Sequence, residues 1–349
     1  MKIYDSIIIG GGQAGLSVAY YFRRYPIEYL ILDGQKEAGG SWLQTWDSLQ
    51  LFSPVVYSSL SGWRMPPGEQ VYPGKDEFVA YLKAYEQRYG FPIKRPVNAH
   101  HVYKADHLFV VETNQGIFHS KTLVSATGSA RNPFIPHYPH MDEFVGQQIH
   151  SSQYVNADPF VGQNVLVVGG GNSGAQILGE LSKVANTQWV TLTPPQFLPD
   201  HVDGRYLFQQ ATNRFRGKTS GSEANFSLGN IVMLDSVKDA RRRGVLEAKR
   251  PFSSFYEHGV IWSDGQKEAF DAVVWCTGFK PNLEHLHGLN IIEGERVNTK
   301  NTRAVEEPNL WLVGYGSWTG FASATIYGVG KTARATAREI DQALKDLAS

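Results

Sequence analysis

Two glycine turns carry the clearest chemistry in this sequence. Gly10-Gly11-Gly12-Gln13-Ala14-Gly15 follows the apolar run Ser6–Ile9, and Gly169-Gly170-Gly171-Asn172-Ser173-Gly174 follows Val165–Val168. A buried strand that turns on glycines into a helix presents unpaired backbone N–H groups and the positive end of the helix dipole, which is where a dinucleotide pyrophosphate binds. In the first turn Gly10 permits the sharp bend, Gly12 lets the backbone approach the pyrophosphate, and Gly15 lets the helix pack on the strand. Helical spacing continues through Leu16, Ala19, Tyr20 and Arg23, and a second apolar strand, Glu28–Asp33, ends in an acid. Asp33 stands about 20 residues beyond the turn, where a carboxylate accepts hydrogen bonds from a ribose.

The second turn has the same surroundings up to one point. A helix follows it (Ala175, Ile177, Leu178, Leu181), then a strand over Gln188–Leu192. The ribose-reading place falls on Leu192 and Thr193. An acid there favours NAD and a nearby arginine NADP. Leu192 and Thr193 are neither, so weak discrimination is expected, with both NADH and NADPH accepted. Each turn is also answered by a closing strand that ends in Thr-Gly: Lys121–Ala126 before Thr127-Gly128, and Ala272–Cys276 before Thr277-Gly278. The plan is therefore duplicated, and two dinucleotide sites in one chain point to electron transfer between a flavin and a nicotinamide.

The remaining elements must hold these turns in place. Residues 39–67 mix Trp42, Trp46, Phe52 and Trp63 with Gly and Pro without a period. They read equally as a wall around a ligand or as an ordinary packed loop. A helix is expected from about Asp76 to Tyr89, strands over Val97–Tyr103, Leu108–Glu112, Ile117–His119 and Lys121–Ala126, and a hairpin turn at Val260–Gly265. Between the halves of the second unit, an insert at about 197–255 holds two candidate helices, Arg205–Arg216 and Asp235–Arg243, separated by polar residues 217–229. The Arg241-Arg242-Arg243 run reads first as a solvated face and second as a phosphate holder. A strand over Leu310–Val313, a glycine loop 314–320 and a long helix from about Ala322 to Ala348 close the chain. That helix either turns its positive end to a flavin or simply caps the fold.

Composition sets limits. The chain has 349 residues, 42% hydrophobic, with zero formal net charge, which suits two globular domains and offers no basic footprint for nucleic acid. No apolar run reaches the ~18 residues of a membrane helix, and the N-terminus reads as a first strand, so a cytoplasmic protein is expected. Cys276 is the single cysteine; no disulfide can form within the chain and a dithiol relay is excluded. The pairs His100-His101 and His285/His287 lack the carboxylate or Cys partners of a metal site, and none is expected.

One further pattern lies just before the second turn. Phe144-x-Gly146-x-x-x-His150-x-x-x-Tyr154 resembles the signature of the flavin-containing monooxygenases, and Gly39-Gly40-Ser41-Trp42 resembles their Gly-Gly-x-Trp element. The likeness runs over essentially the whole chain and is greatest to the small bacterial members. It implies an α/β fold of two Rossmann-like, three-layer domains in a glutathione-reductase-like arrangement. The FAD-binding domain would comprise 1–153 plus 281–349, and the NAD(P)H-binding domain 154–280. FAD would be held by Gly10, Gly12, Gln13, Ala14, Gly15, Asp33, Gly40, Trp42, Val102, Ala126, Thr127, Gly128 and Ala322. NADPH or NADH would be held by Gly169, Gly171, Asn172, Ser173, Gly174, Leu192, Thr193, Cys276, Thr277 and Gly278.

The resemblance also implies a reaction. NAD(P)H reduces FAD, O₂ adds at flavin C4a, and the hydroperoxide oxygenates a small soft nucleophile such as a sulfide or amine, or inserts oxygen beside a ketone. The cofactor does the hard step, so no catalytic triad or acid pair is expected. His150 is expected to be a packing and hinge residue. The flavin face is expected at Phe52, Ser53 and Trp318. Larger family members place an asparagine at the position best matched by Phe52 or Ser53, and phenylalanine cannot donate its hydrogen bond, so uncoupling to H₂O₂ is expected. Tyr154, where the related Baeyer–Villiger signature has tryptophan, favours sulfur or nitrogen oxygenation. The resemblance implies a homodimer. Rival readings are a plain NAD(P)H oxidase or flavin reductase, and a flavin-binding redox sensor.

Overall fold

The computed structural model describes residues 1–202, 204, 206, 229–320 and 322–349. The helix expected over 205–216 and the polar stretch 217–229 fall outside the described residues but for Tyr206 and Gly229. The chain divides into two compact units. The first is Met1–Leu43, Pro54–Asn132 and Lys280–Ser349; the second is Gln44–Ser53 and Pro133–Phe279. The boundary expected at 153/154 is corrected to 132/133, because Gln147–His150 is a strand of the second unit's sheet. Gln44–Ser53 also belongs there: Gln176 holds the Gln50 backbone through both atoms of its amide, and the Gly204 N–H donates to the Phe52 carbonyl at 3.0 Å.

In the first unit β1 (Ile3–Ile9) leads through α1 (Gln13–Phe22) to β2 (Tyr29–Leu32). Then come α2 (Lys75–Tyr89), β3 (Ile93–Lys94), β4 (Ala99–Ala105), β5 (Leu108–Thr113) and β6 (Gly116–Ser125). β1 lies between β2 and β6, parallel to both, with β3 parallel outside β2. Alternate residues Ile7, Ile9, Leu30, Leu32 and Leu123 fill one core face, while Ile8 and Ile31 are equally buried on the other. A parallel sheet covered on both sides needs such uninterrupted apolar strands. β6 is one strand where two were expected; its first half pairs antiparallel with β5 and its second half parallel with β1.

The second unit repeats the opening. It contains β7 (Gln147–His150), β8 (Asn164–Val168), α3 (Asn172–Leu181), β9 (Asn186–Val190), α4 (Asp235–Arg242) and β10 (Ala248–Lys249). β11 (Ser254–Tyr256), β12 (Gly259–Ile261), β13 (Lys267–Ala269) and β14 (Ala272–Trp275) follow. The parallel order is β10-β9-β8-β14-β7, and β11 to β13 form a separate antiparallel sheet. Phe144, Phe252, Phe255, Phe270 and Trp275 make its aromatic core.

The chain then returns to the first unit. β15 (Leu310–Leu312) adds parallel to β6, and α5 (Ile326–Asp346) ends the fold. α5 starts later than the expected Ala322 because Ala322 is left-handed, with φ +54°, and Thr325 caps the helix by accepting from the Gly328 N–H. No described helix is long and apolar enough to cross a membrane.

His285 gives this unit a pH-dependent element. It is buried, its Nε2 lies 2.9 Å from Ser125 Oγ, and burial pushes its pKa down to about 4. The folded chain holds it neutral while the unfolded chain takes up a proton below its ordinary pKa. This contribution is therefore present above about pH 6.5 and is lost as pH falls toward 4, by roughly 3 kcal/mol at most. His285→Gln should flatten the fall in melting temperature between those pH values; an unchanged slope in the variant would contradict the assignment.

Candidate cofactor sites

The first glycine turn is fixed by one close approach. Gly10 has φ +109°, and a Cβ there would lie 2.4 Å from the Ala126 carbonyl oxygen. Ala126 N–H in turn donates to the Ile9 carbonyl at 2.8 Å. A Cβ on Gly15 would lie 1.9 Å from the Gly10 oxygen, and one on Gly40 (φ +56°) 2.7 Å from Gly12 Cα. α1 starts at Gly12 with no side-chain cap and no acid in its first turn, so its N–H groups are left for a ligand. The second turn repeats this. A Cβ on Gly169 would meet the Cys276 oxygen at 2.2 Å, one on Gly174 the Gly169 oxygen at 2.2 Å, and one on Gly171 nothing. α3 also has neither cap nor first-turn acid. The other described α-helices carry a first-turn acid (Asp76 and Glu77 in α2, Asp235 in α4) or a cap (Thr325 in α5). These two turns thus fit a pyrophosphate.

Around the first turn, Gln13 spans two loops: its Nε2 donates to Ala324 O at 2.9 Å and its Oε1 accepts from Trp42 Nε1 at 3.1 Å. Ala14 lies beneath Gly314, whose Cβ would meet it at 2.7 Å. Asp33 is buried, and Arg95 Nε donates to its Oδ2 at 2.6 Å, while Glu86 holds the rest of the Arg95 guanidinium bidentately at 2.6 and 2.7 Å. Thr127 Oγ1 lies 2.7 Å from both Asn282 O and Tyr315 Oη, and Tyr315 Oη is 2.5 Å from Ser125 Oγ. Gly128 (φ +66°) accepts from Asn282 N–H.

In the second unit the closing turn is held by the signature. His150 is buried, and its Nε2–H donates to Gly278 O at 2.9 Å while Nδ1 accepts from Ser152 N–H at 3.1 Å. This fixes the neutral tautomer, and burial lowers its pKa. Gly146 is required because a Cβ would meet the Phe144 ring at 2.2 Å and Asp271 O at 2.6 Å. Tyr154 is buried beside Phe160, ring centroids 5.9 Å apart. All four signature residues lie within the second unit, and His150 clamps that unit's own Thr277-Gly278 turn. Burial pushes the Cys276 thiol up to about 12, so it is not a thiolate at neutral pH.

The other expected residues are placed as follows. Val102 is buried inside β4, paired with Val111, and the place beside Asp33 belongs to Val97, whose N–H donates to Asp33 O at 2.8 Å. Phe52 and Ser53 pack with the second unit. Trp318 packs against the first unit's core and stands 5.6 Å from Tyr315. The Asn172 amide ties down the loop at Asn230–Val232. Ser173 lies in the first turn of α3, and Leu192 and Thr193 are exposed past β9. The Arg241–Arg243 run is paired with Asp200, Asp239 and the end of α3. Among the described residues no group of three His, Cys, Asp or Glu side chains could hold a metal.

The ribose-reading place at Leu192 and Thr193, read from the sequence as having no charged reader, does have an arginine beside it. β10 runs parallel beside β9, and Arg250 Nη1 donates to the Thr191 carbonyl at 3.3 Å. Arg250 is far from Thr193 in sequence, so spacing from the glycine turn could not find it. Arg95 was missed at the first site for the same reason. The usable signal was a repeat: Lys94-Arg95-Pro96 and Lys249-Arg250-Pro251.

Two sheets, one mixed and one parallel, each with an uncapped helix behind a glycine turn, define a flavoprotein oxidoreductase of the double-dinucleotide type. A family model for pyridine nucleotide-disulphide oxidoreductases matches residues 7–203. A solved structure of a flavin-containing monooxygenase from Stenotrophomonas maltophilia superposes with TM-score 0.91 at 42% identity, over 98% of this chain and 99% of that one. The uncharacterized oxidoreductase CzcO of Bacillus velezensis is 32% identical over 97% of this chain and 99% of its own length. Indole-3-pyruvate monooxygenase YUCCA1 of Oryza sativa is 26% identical over 96% and 91%. The chain belongs to the pyridine nucleotide-disulphide oxidoreductase family, in its flavin-containing monooxygenase branch. It is a flavin-dependent monooxygenase that uses FAD and NAD(P)H.

The two turns should separate genetically. Gly15→Ala should lower FAD retention during purification, because its Cβ cannot pass the Gly10 carbonyl. Gly174→Ala should keep the flavin's visible absorbance yet slow anaerobic reduction by NAD(P)H at least about tenfold, ~1.4 kcal/mol. Loss of flavin from Gly174→Ala, or its full retention in Gly15→Ala, would reverse the assignment of units to cofactors.

Proposed function

We propose that the first unit binds FAD and the second NAD(P)H, and that the enzyme oxygenates a small soft nucleophile, a sulfide or an amine, with NADH and NADPH both serving as reductant. A flavin held there would supply the redox chemistry, accepting a hydride from the reduced nicotinamide and activating O₂, of which one atom would go to the substrate and the other to water. The observation that carries this reading is the pair of uncapped, acid-free helix N-termini at α1 and α3, in a chain whose single thiol is held protonated. A disulfide-reducing enzyme of this plan needs a second thiol to relay electrons, and the sequence has one cysteine.

The chain's own residues bind and orient. The α1 N–H groups and Gly12 take the FAD pyrophosphate, and Asp33, held in place by Arg95, accepts hydrogen bonds from the adenosine ribose. Gln13 ties the Trp42 loop and the Ala324 loop to the turn, so that all three keep one geometry. The α3 N–H groups take the pyrophosphate of NAD(P)H, with the Thr277-Gly278 turn set by His150. Tyr154 in the signature's last position favours sulfide or amine over ketone. Phe52 offers no side-chain donor, and the reading includes substantial diversion of reducing equivalents to H₂O₂.

Anaerobic reduction with each coenzyme, followed by O₂ with and without a thioether, tests this. Sulfoxide should form in less than stoichiometric amount, with H₂O₂ accounting for the remainder. Rapid NAD(P)H consumption without any oxygenated product would make the protein an oxidase. Near-complete coupling would refute the uncoupling, and a kcat/KM ratio between the coenzymes above about a thousandfold, ~4 kcal/mol, would refute relaxed use.

A further inference from the structure

The two units share a detail beyond their glycine turns. In each, the strand after the first crossover is flanked by a two-residue parallel strand that ends in Lys-Arg-Pro. In the first unit Lys94 pairs with Leu32, and its carbonyl accepts the N–H of Asp33 at 3.0 Å. In the second, Lys249 pairs with Val190, and its carbonyl accepts the N–H of Thr191 at 3.1 Å. Arg95 and Arg250 therefore occupy the same place, and so do Asp33 and Thr191.

What differs is the partner. Arg95 is spent: Asp33 takes its Nε and Glu86 its two terminal nitrogens, leaving the side chain 15% exposed. Opposite Arg250 stands Thr191, which carries no charge. Arg250 is exposed, forms no ion pair among the described residues, and makes one hydrogen bond there, the 3.3 Å contact to the Thr191 carbonyl. The neighbouring Lys249 is already taken by Glu268, at 2.7 Å, and by the Trp262 ring. Thr191 itself lies against the turn, since a Cβ on Gly170 would be 3.3 Å from its Cβ and 4.0 Å from the Thr193 carbonyl. The guanidinium thus sits at the end of β9 beside the second glycine turn, where the adenosine ribose of a bound coenzyme lies in this type of fold.

We propose that Arg250 reads the 2′-phosphate of NADPH. An acid at position 191 would pair with this arginine as Asp33 pairs with Arg95, and would accept from a free ribose hydroxyl. Threonine leaves the arginine's fork available to a dianionic phosphate, which it can hold bidentately. Because the residue is exposed, the preference is modest, and NADH remains a substrate. The inference rests on the reading of the second unit as the coenzyme site.

Calorimetric titration of the FAD-loaded enzyme with NADP⁺ and NAD⁺ tests it without turnover. The wild type should bind NADP⁺ about tenfold more tightly, the order of one exposed charge-assisted contact. Arg250→Ala should bring NADP⁺ affinity down to that of NAD⁺ and leave NAD⁺ unchanged, Arg250→Lys should keep part of the difference, and added salt should erode it. Equal affinities in the wild type, or equal loss for both coenzymes in Arg250→Ala, would overturn the role of Arg250 while leaving the coenzyme site in place. If neither coenzyme binds the wild type, the functional reading of the second unit falls, and this inference with it.

Discussion

The structure depends on a carbonyl oxygen pressed against a glycine. At the end of β6 it is the Ala126 oxygen on Gly10, and after β14 the Cys276 oxygen on Gly169. Each contact leaves no room for a side chain. The chain can therefore leave the strand in a left-handed conformation and enter the helix at once, with the first N–H groups facing outward. A second glycine per turn, Gly15 or Gly174, lets the helix lie on its own strand. Because neither helix has a cap or a first-turn acid, the stabilisation those groups would give is left to an anionic ligand. The site is made mainly of backbone, which explains why titratable side chains play so small a part in it.

Charges elsewhere are arranged so that few remain to compete for that ligand. Asp33 is the one acid the first site requires, and two groups fix it: Arg95, whose own second partner is Glu86, and the Gln35 N–H. A carboxylate that is buried, paired and pre-oriented presents its remaining lone pairs in a defined direction. The Arg241–Arg243 run is consumed by Asp200, Asp239 and the last turn of α3. With formal charge balanced over the whole chain, recognition of a nucleotide relies on particular contacts and gains little from a general field.

What the sequence made legible follows the range of the interactions. The strands and helices beside each turn are local: a β-branched run, glycines at fixed offsets, then helical spacing. The parts that went unread are long-range. Gln147–His150 has no apolar alternation and becomes a strand only because β14 offers it an edge, which moved the unit boundary to 132/133. Gln44–Ser53 joins the second unit through Gln176, whose sequence neighbours give no hint of it. Val97 rather than Val102 lies beside Asp33, since register across β2 and β3 decides the position. The Lys-Arg-Pro repeat was present in the sequence, but three residues without a known spacing carry no meaning until the sheet sets them in equivalent places.

Each unit also needs a way to keep its Thr-Gly turn still, and here the duplicated halves have diverged. The first uses hydroxyls: Ser125, Tyr315 and Thr127 form a buried chain that ends on the Asn282 carbonyl, with His285 behind it. The second uses an imidazole, with His150 donating to Gly278 O from an edge strand whose sharp entry requires Gly146 under the Phe144 ring. The pattern Phe144-Gly146-His150-Tyr154 therefore marks the family through its architecture. It specifies an edge strand, a tautomer and a turn, and it leaves oxygen chemistry to the cofactor. A residue can be diagnostic of a reaction while touching none of the reacting atoms, provided the reaction depends on a backbone geometry that only that residue secures.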